Sequence, residues 1–116
     1  MAYHSYENLE VWKKSVDQCV TTYEIFKGCR DYSFKDQICR AALSIPSNIA
    51  EGIERESTKE TIHFLHIAKG SCAEVRTQAL IAQRIGYLSD AITKVYLAEM
   101  VSISKMLHRL IQSLKT

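Results

Sequence analysis

Apolar residues recur along this chain at spacings of three and four, the signature of helices that bury one face. Leu9, Trp12, Val16, Cys19, Val20, Tyr23 and Phe26 fit one such face, and Gly28 follows as a stop. Ser33 opens Ser-Phe-Lys-Asp, a predicted N-cap with an acid in the first turn, ahead of Phe34, Ile38, Ala41, Ile45 and Ile49. Ser57-Thr-Lys-Glu60 reads as a capping box, in which serine and glutamate each satisfy a free amide. The third face is then Phe64, Leu65, Ala68, Cys72, Val75, Ala79 and Ala82, with Gly86 to end it. Ser89 caps a fourth helix whose face is Ile92, Val95, Tyr96, Ile103, Met106, Leu107, Leu110 and Leu114. Connections of a few residues favour antiparallel neighbours. The expectation is an all-α, up-down-up-down four-helix bundle forming a single domain over residues 1–116.

The second helix is unusual in its centre, RAALSIPSNIAEGIERES at positions 40–57. Beside the core-facing side runs a polar stripe of Arg40, Ser44, Ser47, Glu51 and Arg55, with Asn48 at its edge. A third side carries Cys39, Leu43, Pro46 and Ala50. One core needs one stripe, so the extra apolar side suggests either contact with a second copy or packing against two neighbouring helices at once. Pro46 lacks the amide that would bond the carbonyl four residues back and is expected to bend the helix, with Ser44 or a water to satisfy that carbonyl. Arg40 and Glu74 fall at similar heights on antiparallel helices and are expected to pair, with Ser71 nearby. The stripe is read as a device for register and partner specificity, and an active site is the weaker reading.

Composition narrows the class. Four glycines and one proline in 116 residues are too few for a chain built on tight turns. Fifteen Lys and Arg against thirteen Asp and Glu leave +2, so nucleic-acid binding would depend on basic residues sharing a face. Lys94, Lys105, Arg109 and His108 do share an outward strip of the fourth helix with few opposing acids; the bland reading is a solvated face. Tyr3, Tyr6, Tyr32 and Tyr87 are candidates for base stacking or, more ordinarily, packing anchors. No apolar signal core or membrane-length run is present, which points to a cytoplasmic protein. Cys19, Cys29, Cys39 and Cys72 have neither redox nor zinc spacing and read as reduced thiols without a disulfide.

Enzymatic and metal chemistries find little support. Glu60-Thr-Ile-His63 matches a di-iron motif, but such sites need a second copy and further glutamates. His63 and His66 supply two ligands where a structural zinc needs four. Glu99 falls on the fourth helix's apolar face and is expected to meet Arg40, another basic side chain or a tyrosine hydroxyl. With no phosphate loop or nucleophile elbow, the chain reads as a non-enzyme with no metal or cofactor.

RAALSIPSNIAEG, with FLHIAKGSCAEVRTQ, RIGYLS and the opening YENLEVWKKS, resembles the four-helix-bundle family typified by the 23S ribosomal RNA intervening-sequence protein. That family also includes the accessory variability determinant of diversity-generating retroelements. The family's core is present here as Ser44 to Gly52, and its Gly-Ser-x-x-Glu as Gly70, Ser71 and Glu74. The segment KGCRDYSF departs from the family in lacking the proline and the acidic residues that members often carry there, Asp31 being its only acid. The resemblance implies a homopentameric barrel without known catalytic activity, linked to RNA or to a reverse transcriptase. The functional expectation is a non-catalytic homo-oligomeric adaptor for RNA or an RNA-handling protein; the alternative is a structural or protein-interaction ring that binds no nucleic acid.

Overall fold

Local capping chemistry sets the ends of the elements. The computed structural model describes residues 5–115, so the Tyr3 expectation lies outside the described residues. A 3₁₀ turn at Tyr6–Asn8 leads into helices α1 (Glu10–Ile25), α2 (Tyr32–Ile53), α3 (Thr58–Arg84) and α4 (Asp90–Leu114). Asp31, two residues before the expected Ser33, caps α2: its Oδ1 accepts from the Phe34 amide at 3.1 Å. Tyr87 explains the choice of residue, because its hydroxyl donates to Asp31 Oδ2 at 2.6 Å and ties the α1–α2 turn to the α3–α4 turn. These two bonds, the tyrosine's first, hold the Asp31 carboxyl below its ordinary range.

Ser57 caps α3 by accepting from the Glu60 amide, and Ser89 caps α4 by accepting from the Ile92 amide. The box at Ser57 is half closed, since the glutamate makes no return bond to it. Gly86, at φ +85°, ends α3 in a Schellman turn. The Tyr87 amide reaches the Ala82 carbonyl at 2.8 Å and the Gly86 amide reaches that of Gln83 at 3.2 Å.

Each helix packs against its neighbours in sequence, and α4 returns to α1 more loosely. Ile38, Ile45, Ile49, Leu65, Val75, Met100, Ile103, Leu107 and Ile111 fill the shared interior. On α3 the expected face is the buried face, apart from a half-exposed Phe64. On α1 and α4 the structure corrects the reading in part: Cys19, Phe26, Tyr96, Ile103 and Leu107 are buried as expected, but both helices are turned somewhat from their most apolar stripe. Polar Ser15, Gln18 and Thr22 are buried on α1, while Val20 and Tyr23 are exposed. On α4, Thr93 and Met100 go inside, and Ile92 and Val95 are 47% and 68% exposed.

Hydrogen bonding accounts for the rotation. Thr22 Oγ1 donates to the Gln18 carbonyl at 2.7 Å and accepts from the Tyr96 hydroxyl at 2.6 Å. Gln18 Nε2 donates to the Tyr96 carbonyl at 3.3 Å, and Ser15 to that of Trp12 at 2.8 Å. Buried polar groups are tolerated once paired, and a count of apolar positions cannot register the pairing. Tyr96→Phe deletes the Tyr96–Thr22 bond while Thr22 keeps its backbone partner. It is expected to cost about 1 kcal/mol in urea unfolding.

The α2 expectations also sort out. The helix runs unbroken through Pro46, whose side chain is buried together with Cys39; Ala50 is half-buried and Leu43 is 49% exposed. Contact with α1, α3 and the 3₁₀ turn consumes most of the side that sequence marked for a second copy. Ser44 does not take the carbonyl freed by Pro46, that of Ala42: its hydroxyl donates to Ala41 at 2.7 Å. Asn48 Nδ2 donates to the Ser44 carbonyl at 2.8 Å.

Candidate nucleic-acid interface

The expected Arg40–Glu74 pair is absent. Arg40 Nε instead bonds Asp36 Oδ2 at 2.9 Å, one turn back on the same helix, and its side chain is 78% exposed. An exposed pair within one helix contributes little to stability, so neither partner is stranded in a low dielectric. Glu51 is likewise taken by Arg55 at 2.8 Å, and the Arg55 guanidinium lies 4.8 Å from the centre of the Phe64 ring. Ser47 and Glu74 are exposed. What links α2 to α3 is smaller: Ser44 Oγ and Ser71 Oγ lie 2.7 Å apart, and Thr61 Oγ1 donates to the Gly52 carbonyl at 2.7 Å. With the Ser44 proton committed to Ala41, Ser71 is the donor of the inter-helix bond. Part of the polar stripe therefore fixes register inside the chain.

Glu99, expected inside, lies at the surface and pairs with Lys14 of α1 at 3.2 Å. The basic partner was foreseen in kind, but the rotation of α4 moved the carboxylate out to meet it. Glu60, His63 and His66 are exposed on α3, and no group of three or more metal-ligating side chains occurs among the described residues.

The basic residues of α4 divide. Lys105, His108 and Arg109 line a hollow of about 370 Å³ at the α3–α4 seam, together with Ser104 and Lys69. Lys69 comes from α3, and sequence reasoning missed it because its place beside α4 depends on how the two helices cross. Lys69 Nζ donates to His108 Nδ1 at 3.1 Å, which leaves the ring proton on Nε2 as a further donor. Among the described residues no carboxylate lines this hollow. On the Arg109 side, Glu10 lines the adjoining hollow and is paired with Lys13. Lys94 lies outside the hollow, eleven residues or about 16 Å up the same helix.

The tyrosines are not gathered there. Tyr87 is held by Asp31 and packs edge-on to Phe34 at 5.5 Å, at the turn between α3 and α4. Tyr6 packs edge-on to Trp12 at 5.2 Å, and Tyr32 is exposed at the start of α2.

The fold and this surface define an all-α, four-helix protein with a compact donor-rich hollow at one helix seam. The model of the 23S rRNA-intervening sequence protein family matches residues 7–109, and the chain belongs to that family. A crystal structure of a protein of unknown function from the S23 ribosomal protein family of Bacteroides thetaiotaomicron superposes with a TM-score of 0.82. The match covers 87% of this chain and 97% of that one at 24% identity, a likeness of fold. Among curated proteins nothing matches.

Proposed function

We propose that this chain is a non-catalytic cytoplasmic adaptor: an up-down-up-down antiparallel bundle that assembles as a homo-oligomeric ring, a pentamer by family resemblance, and binds RNA. A reverse transcriptase that handles such an RNA is the protein partner in keeping with the same resemblance. The observation that carries the reading is the union of Lys69 with Lys105, His108 and Arg109 around one hollow that no carboxylate of the described residues lines. Three elongated donors and an imidazole N–H suit phosphate oxygens, and repetition around a ring multiplies the contacts. The short connections and the Gly52–Thr61 and Ser44–Ser71 bonds support the antiparallel order. A non-catalytic role agrees with the buried hydroxyls of Thr22 and Thr93, which are committed to main-chain carbonyls.

Fluorescence anisotropy with a labelled structured RNA, run across a salt series, tests the reading. Binding is expected to weaken steeply with salt. The double variant Lys105→Glu with Arg109→Glu is expected to lose at least about tenfold in affinity. It should also flatten the log–log salt dependence by roughly 0.7 to 0.9 for each phosphate that is no longer neutralised. Absence of binding at low salt would leave the structural ring as the better account.

A further inference from the structure

The rotation of α1 and α4 leaves an apolar groove at their seam, about 570 Å³ in volume, lined by Thr21, Ile25, Ile92 and Val95 among others. A second apolar surface stands out on the far face of α3, where Leu80, Ile81 and Ile85 are each about half exposed. The bond from Gln83 Nε2 to Asp90 Oδ1 at 3.0 Å joins the end of α3 to the start of α4. Groove and ridge therefore sit at the same end of the 49 Å long molecule. We propose that the α3 ridge of one copy docks in the α1–α4 groove of the next, a head-to-tail contact between two different patches of the same chain. This rests on the homo-oligomer reading above and names the surfaces that would make it.

Charge and helix chemistry select this pairing over other occupants. Arg76 and Arg84 flank the ridge, and Asp17 and Glu24 lie on the outer edge of α1 beside the groove; none of the four has an ion-pair partner among the described residues. Docking brings the two signs together at the rim, where they steer orientation. Gly70 lies on the same outer face of α3, mid-helix, with open space where a side chain would sit. Within one chain that glycine only weakens the helix, whereas a close-packed neighbour has use for the missing Cβ. Because ridge and groove are level along the long axis, successive copies add side by side, the arrangement that closes into a ring.

The test uses Val95→Glu, which spoils the groove, and Ile81→Glu, which spoils the ridge. Both positions are exposed, and circular dichroism verifies that each variant keeps its helices. Light scattering is expected to give a multiple mass for the unaltered protein and a single mass for each variant alone. An equimolar mixture should give a two-fold mass, since one intact ridge meets one intact groove and both ends are then blocked. A monomeric parent protein would overturn the homo-oligomer reading and this contact with it. A multimeric parent whose variants keep its mass would overturn the contact alone. So would a mixture that stays monomeric, or loss of assembly in only one of the two variants.

Discussion

Gly52→Ala is expected to destabilise the protein by about 1–3 kcal/mol, the range for overpacking a close contact. The ordinary rule has the opposite sign, since replacing a mid-helix glycine by alanine gains roughly 0.5–1 kcal/mol. Here an added Cβ would stand 3.0 Å from Phe64 Cβ and 3.1 Å from the Thr61 carbonyl oxygen. One of these is main chain and the other is fixed to it, so neither can yield by a side-chain rotation. Moving α3 away would also stretch the 2.7 Å bond from Thr61 Oγ1 to the Gly52 carbonyl. Urea unfolding of the variant checks this, and a variant as stable as its parent would mean that α2 and α3 do not approach so closely. The glycine of the Ser44–Gly52 run is thus explained by a helix crossing within the chain.

Stability is expected to fall steeply above pH 9. Burial pushes the Cys72 thiol from 9.0 up to about 12. Burial also raises the Tyr96 phenol from 10.0 to about 12, against a smaller downward pull from its bond to Thr22. Below pH 9 both groups are protonated whether the chain is folded or not, and they make no difference. Between pH 9 and 12 the unfolded chain releases protons that the folded one retains. Unfolding is then favoured by up to about 1.4 kcal/mol per pH unit for the thiol, with a similar contribution from the phenol above pH 10. Urea midpoints at pH 7, 9 and 10.5 should be level over the first interval and drop over the second. Cys72→Ala should reduce the drop, whereas an identical drop in that variant would assign the loss to other groups.

Much of the fold was legible because helices announce themselves locally. The three- and four-residue spacings placed all four, and Ser57, Ser89 and Gly86 marked boundaries by chemistry confined to one turn. Asp31 was missed in favour of Ser33 because the residue that favours it, Tyr87, is 56 positions away. The faces of α1 and α4 were misread in part for a related reason: Thr22 and Gln18 become acceptable inside only when they meet Tyr96 across the bundle. The basic strip was half legible. Lys105, His108 and Arg109 belong together by one helix's periodicity, but Lys69 enters only through the crossing of α3 with α4.

By itself, then, the sequence determined that the chain is four helices, where most of them begin and end, and which of its segments carry the family's motif. Those properties depend on spacing and capping over at most a few turns. Tertiary structure decided how α1 and α4 are rotated, and the rotation in turn put Glu99 on Lys14 and left Val95 and Ile92 facing outward. The physical reason is that rotation about a helix axis is settled by pairs of side chains on different helices, and each such pair stabilises the chain only after both helices are in place.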